Sequence, residues 1–234
     1  MIKRGIKDAL PVMAGYFPIA MTFGILADTA GISAVDGIFI SLFLYAGASQ
    51  FMAVSMVASG MSMVGIILAV FFMNFRHFIM SASVRAKLKK TSSKYFPIIG
   101  FYLTDETYSV ISMNEDIDDH KYLITLELLC HASWVGGTAA GYMFGLFIPS
   151  IITESMGIAL YALLLTLLIP SCKKSIKALV VALASGMVNA LLLQLTMFDP
   201  GACFIISVLC IASIATLLSN EDDKSLVGED KEVG

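Results

Sequence analysis

The sequence predicts an all-α, polytopic helical membrane protein, on three observations. Of 234 residues, 58% are hydrophobic and only 14% charged, and mean hydropathy is +0.85. A soluble domain is nearer half apolar and a quarter charged, so this chain cannot cover itself with water-compatible surface. Eight charges lie between 221 and 232, and most of the others cluster in narrow bands around 3–8, 85–94, 115–121 and 173–177. Between the bands run apolar stretches of about twenty residues, the length a helix needs to cross a bilayer core of about 30 Å. Strands of a transmembrane barrel would alternate over about ten residues, and no such alternation is present. A nucleic-acid binder, a secreted disulfide scaffold and a soluble enzyme are excluded.

The apolar segments are 9–27, 37–59, 62–84, 95–113, 122–148, 151–171, 176–197 and 201–219, which gives about seven to eight helices. They form a single transmembrane domain over 1–219, followed by an acidic tail, 220–234, too polar to fold alone. The first segment follows MIKRGIKD, carries Pro11 and Pro18 and lacks an A-x-A site at its end, so it is a retained span and not a signal peptide. The second holds Gly47, Ala48 and Ser49 at its middle, and the fourth holds Thr104, Asp105 and Glu106. One or both are expected to be broken or re-entrant there, which is tolerated where protein buries the freed backbone. The first and fifth segments share Gly-rich stretches, AGYFPIAMTFG and GGTAAGYMFG, and the third and seventh each place an Asn after an apolar run. Internal duplication, common in transporters, and chance likeness between apolar helices both account for this. Asn189 and Gln194 in the seventh segment suit interhelical hydrogen bonds. Cys130, Cys172, Cys203 and Cys210 show no CxxC spacing and read as small hydrophobes, so no metal or other cofactor is expected.

The basic bands pose a topological problem. Cytoplasmic loops collect Lys and Arg. Lys3, Arg4 and Lys7 ask to be inside, as do Arg85, Lys87, Lys89, Lys90 and Lys94, and then Lys173, Lys174 and Lys177. Yet three apolar segments separate each pair of clusters, and three full crossings would put neighbouring clusters on opposite faces. Either one cluster departs from the rule, or one segment in each triplet does not cross.

Ionisable side chains inside hydrocarbon cost about 2.5–3.5 kcal/mol each at mid-span and usually face a bundle interior. On a regular helix Asn74, His77 and Ser81 form one polar stripe, while Arg76 points nearly the opposite way, so this helix is enclosed on both sides or unwinds. Arg76 suits a substrate carboxylate, or else an internal pair with Asp105 or Glu106. His77 can titrate near physiological pH, or serve as a hydrogen-bonded structural residue. Asp105 and Glu106 are adjacent carboxylates, so one tends to hold a proton in a low-dielectric site; a solvated position near the interface is the alternative. Ser49 and Gln50 can contact polar substrate atoms if the helix breaks beside them. Plain helix packing explains the small residues as well, though it does not require Gln50. Glu127, His131 and Trp134 share one stripe, as an internal salt-bridged pair or as a membrane-surface group.

At these residues the chain resembles the AzlC family, the large subunits of branched-chain amino acid exporters (YgaZ- and BrnF-like proteins). The matching motifs are AGASQF at 46–51, NFRHF at 74–78 with Ser81 following, and LTDETYSV at 103–110. The N-terminal GIKDALPVMAGYFPIAMTFG is also similar to that family, and the likeness covers roughly 5–215. It departs from the family pattern at Ser49, where a second Ala is common. The resemblance implies a bacterial inner-membrane, multi-pass secondary transporter driven by the proton motive force. It would export valine, leucine, isoleucine and related hydrophobic L-amino acids, together with a small AzlD-type membrane subunit. The carried-over positions are Gln50, Asn74, Arg76, His77, Asp105 and Glu106.

Combined, these readings assign substrate binding to Arg76, Asn74, Gln50 and Ser49, and proton coupling to Asp105, Glu106 and His77. An enzyme is not expected, because HExxH, GxSxG and a phosphate-cradling glycine loop are all missing from the sequence. Two alternatives stay open: a non-transporting membrane partner whose buried charges orient a second protein, and an intramembrane enzyme using His77 with Asp105 or Glu106.

Overall fold

The computed structural model describes residues 1–114, 118–147 and 176–194, with scattered positions between 165 and 173 and between 203 and 214. Every extended element among the described residues is helical. They are α1 (Ile2–Thr29), α2 (Ala34–Phe43), α3 (Gly47–Ala58), α4 (Met63–Lys87), α5 (Phe96–Tyr102), α6 (Asp105–Met113), α7 (His120–Phe144) and α8 (Ile176–Gln194). The segments 151–171 and 201–219, scattered positions aside, and the tail 220–234 lie outside the described residues. The chain divides into two compact units, one of 1–60 with 70–164, the other of 61–69 with 165–234. In the second unit, the expected polar contact of α8 is present: Ser207 Oγ lies 3.5 Å from Asn189 Oδ1.

The first unit is built on α1 and α7. At 1.5 Å per residue, 28 and 25 residues span about 42 and 37 Å, enough to cross a bilayer. They run parallel and in step. Gly5 lies against Tyr122 and Thr125, the Ser133 hydroxyl donates to the Met13 carbonyl at 2.9 Å, and Gly137 sits on Phe17 and Ala20. Where they come closest, Gly24 and Gly141 meet, and a methyl group on either would strike the other helix's backbone. The two Gly-rich stretches noticed in the sequence are therefore packing partners of one another. Ala20-x-x-x-Gly24 and Gly137-x-x-x-Gly141 form the small-residue seam by which helices approach closely in lipid, where no hydrophobic drive holds them together.

Both interrupted segments are re-entrant hairpins, entering from opposite ends of this helix pair. In the first, α2 descends along α7: the Tyr142 hydroxyl donates to the Ile32 carbonyl at 3.2 Å, Ser41 and Thr138 hydroxyls are 2.7 Å apart, and His131 Nε2 is 3.2 Å from the Leu42 carbonyl. The chain turns at Leu44–Ala46, where Tyr45 takes φ 37°, a left-handed conformation that costs a non-glycine residue about 1–3 kcal/mol. Helix α3 then returns toward its origin, with Gln50 Nε2 donating to Ser41 Oγ at 3.2 Å and the Phe51 ring edge-on to Phe23 at 5.7 Å.

The second hairpin starts from the other end. Arg85 lies 4.1 Å over the Phe96 ring at the start of α5, and the tip at Leu103–Thr104 reaches Tyr16 in mid-helix α1. Helix α6 goes back: Tyr108 meets Ser83 at 3.1 Å, Lys87 Nζ donates to the Ile111 carbonyl at 2.8 Å, and Arg4 donates to Asn114 Oδ1 at 2.8 Å. The last contact brings the first two basic clusters to the same face. The triplet of apolar segments between them holds one hairpin, which removes their apparent conflict with the positive-inside rule. On the same face, the backbone N–H groups of Lys90 and Thr91 and the Thr91 hydroxyl all donate to the Asp118 carboxylate.

Candidate functional site

The two hairpin tips meet halfway along α1 and α7. The second is closed by Thr104, which caps α6: its side chain accepts from the Thr107 N–H, while Thr107 Oγ1 accepts from the Thr104 N–H at 2.9 Å. This places Asp105 and Glu106 in the first turn of α6, where the helix dipole favours negative charge. The two carboxylates part company. Asp105 Oδ2 pairs with Arg76 at 2.9 Å, and Glu106 Oε2 accepts from the Tyr16 hydroxyl at 2.6 Å. Tyr16 in turn lies 2.6 Å from Thr104 Oγ1, so a chain of hydroxyls runs from the helix cap to the Glu106 carboxylate.

The first tip is held by aromatic rings and short polar contacts. Tyr45 packs edge-on to Tyr16, Tyr102 and His131, with centroids 6.4, 6.4 and 4.6 Å away, and Tyr102 covers His131 from another side at 4.8 Å. Trp134 lies beside Gly47 and 5.2 Å from Tyr16. Ser49 Oγ is within reach of both the Ala46 carbonyl (2.9 Å) and Asn74 Oδ1 (3.0 Å), which ties the tip to α4.

Between the tips and α4 lies a cavity of about 220 Å³, lined by Phe43, Leu44, Tyr45, Asn74, His77, Gly100, Phe101 and Leu103. It is smaller than the roughly 300–1,000 Å³ of drug-sized ligand sites, apolar on most sides and polar along the Asn74–His77 edge. The unbroken helix α4 thus carries two polar faces, as its pattern requires: Asn74 toward α3 and Arg76 toward α6, while Phe75 and Phe78 are exposed on the outside as lipid would require.

The residues singled out in the sequence are distributed around this cavity unequally. Asn74 and His77 line it; His77 Nδ1 is also 3.2 Å from the Asn74 carbonyl. Ser49 sits behind Asn74, while Arg76 and Asp105 pair with each other outside the cavity lining, each about a quarter to a third exposed. Gln50 is fully buried against Ser41, away from the cavity lining, with its Oε1 unpartnered among the described residues. Sequence reasoning missed Tyr16, Tyr45 and Tyr102, the rings on which both tips rest. Tyr16 between two prolines of an otherwise apolar span was a faint signal. The internal salt bridge offered for Glu127 does not form. Neither of its oxygens has a partner among the described residues, and His131 turns to the Leu42 carbonyl.

A multi-pass helical membrane protein with two opposed re-entrant hairpins at the centre of its first unit is the class this architecture defines. The family model for AzlC protein matches residues 11–148, and the chain belongs to the AzlC family. It is 36% identical over 197 residues to an uncharacterized membrane protein of Archaeoglobus fulgidus, covering 81% of this chain and 86% of that one. It is 28% identical to the inner membrane protein YgaZ of Escherichia coli, over 88% of this chain and 86% of the relative. It is 25% identical to the branched-chain amino acid transport protein AzlC of Bacillus subtilis, over 93% and 85%. No solved structure matches. The family and these relatives support a role in membrane transport, at the cell membrane, and point away from an enzyme.

Proposed function

We propose that the protein is a secondary transporter, driven by the proton motive force, that exports branched-chain and related hydrophobic L-amino acids together with a small AzlD-type membrane subunit. The observation that carries this reading is the cavity between the hairpin tips. Its Phe43, Leu44, Phe101 and Leu103 walls suit an aliphatic side chain, and its polar edge suits the backbone end of an amino acid. The substrate carboxylate would compete with Asp105 for Arg76, whose Nε is buried without a partner among the described residues. Asn74 would bind the substrate directly, with Ser49 holding Asn74 in place and Gln50 supporting the tip through Ser41. Asp105, freed by that exchange, and Glu106, with His77 on the cavity wall, are the assigned proton carriers. Small sites at interrupted helices near the midplane are where secondary transporters bind substrate.

Valine counterflow into proteoliposomes containing both subunits tests the reading. Uptake of labelled valine above that of empty vesicles is expected, with competition by leucine and isoleucine. Folded protein with no such exchange would overturn it.

A further inference from the structure

Glu127 stands apart from the acids already assigned. It lies on α7, one turn from His131, at 0% exposure, and neither carboxylate oxygen has a hydrogen-bond partner among the described residues. An ionised carboxylate so placed would be an unpaired charge in a dry interior, which proteins do not tolerate. Among the described residues, its ionisable neighbours are Cys130 and His131 on its own helix and Tyr45 at the first hairpin tip, and no cation is paired with it. Arg76 is engaged elsewhere, on Asp105.

From this we infer that Glu127 is a proton-carrying residue of the transport cycle, distinct from the substrate cavity, and that the conformation in which its oxygens lack a partner forms only while its carboxyl holds a proton. The step is a simple protonation: a proton from one aqueous face adds to the carboxylate, the neutral acid permits the tips to close over it, and the proton leaves when water reaches it from the other face. Its position suits this role, since His131 on the next turn is wedged between Tyr45 and Tyr102, one ring near each hairpin tip. The ring contacts of His131 thus place the neighbourhood of Glu127 next to both hairpin tips. The inference rests on the transport reading and names a proton site that reading did not include.

The test uses both subunits in proteoliposomes, with valine as the probe, measuring exchange and accumulation driven by an imposed pH gradient. Glu127→Gln imitates the permanently protonated acid. Exchange is expected to persist, while proton-driven accumulation falls to the level left by a protonophore. Infrared difference spectra on valine addition should lose a protonated-carboxyl band present in the wild type. Accumulation at the wild-type level in Glu127→Gln, or an unaltered infrared band, would overturn the inference. If Glu127→Gln does not fold, Glu127→Asp decides: a displaced pH dependence of accumulation supports it, and an unchanged one overturns it. Absence of valine exchange by the wild type strikes the transport reading itself, whereas coupling indifferent to Glu127 strikes only this residue.

Discussion

The guanidinium of Arg76 lies 2.9 Å from the carboxylate of Asp105, which joins an unbroken helix to the tip of a re-entrant one. Each partner compensates for the other at a depth where either alone is costly. Arg76→Ala or Asp105→Asn should each lower the temperature at which the purified protein leaves its monodisperse peak, a loss of about 1–3 kcal/mol. The double variant should recover part of that loss, since removing both partners leaves no orphan, yet remain without valine exchange. Additive losses in the double variant would show that the pair is not coupled.

Tyr16 joins α1 to the second hairpin tip through its hydroxyl and to the first tip through its ring. Tyr16→Phe keeps the ring packing on Trp134 and Tyr45 but leaves Glu106 and Thr104 short of a partner. Exchange should slow while folded yield holds, because the lost contact lies at a hairpin tip beside the proposed site and not in the seam of long helices. Tyr16→Phe with wild-type exchange kinetics would remove Tyr16 from the site.

The architecture was legible in the sequence wherever a polar or small residue interrupts an apolar run. Both interruptions are real; the first break falls just before Gly47, Ala48 and Ser49, and the second contains Thr104 and ends before Asp105 and Glu106. Gly47 and Asp105 start the second half-helices, and the gaps are Leu44–Ala46 and Leu103–Thr104. Small and polar residues cap and begin helices, so they mark the restart and not the gap. Charge placement exposed the topological conflict, and only the tertiary contacts of Arg4, Lys87 and Asp118 decide it. Tyr16 and the unpaired state of Glu127 were not legible, because a partner, or the lack of one, is a property of distant segments brought together.

The Gly24–Gly141 seam gives a sharp contrast between two glycines on one helix. Gly141→Ala would place its methyl in the backbone of Met21 and Gly24, which cannot yield as a side chain can. Overpacking of this kind costs about 1–3 kcal/mol or more, so the yield of folded protein should drop. Gly136→Ala meets nothing within 4 Å and should behave as wild type. Equal yields from the two variants, measured by fluorescence-detected size exclusion, would contradict the close approach of α1 and α7.

Asp118 supplies the pH prediction, because it lies outside the spans and holds the 85–94 loop against the start of α7. Slight burial raises its affinity for a proton, but the N–H groups of Lys90 and Thr91 and the Thr91 hydroxyl outweigh this and hold it below its ordinary value of 3.8. A carboxylate depressed by folding contributes its stability in full above the unfolded value and loses it as pH falls through the folded one. The clamp is therefore intact at neutral pH and released only below about pH 4. Since the group is only partly buried, screening keeps the gain small, and the effect is local to the loop. Asp118→Ala should expose Lys89, Lys90 and Lys94 to trypsin at neutral pH, with cleavage several-fold faster than in the wild type and the membrane core left whole. Wild-type cleavage rates in Asp118→Ala would mean that the loop is held by its other contacts, chiefly Arg85 on Phe96 and Lys94 on Tyr95.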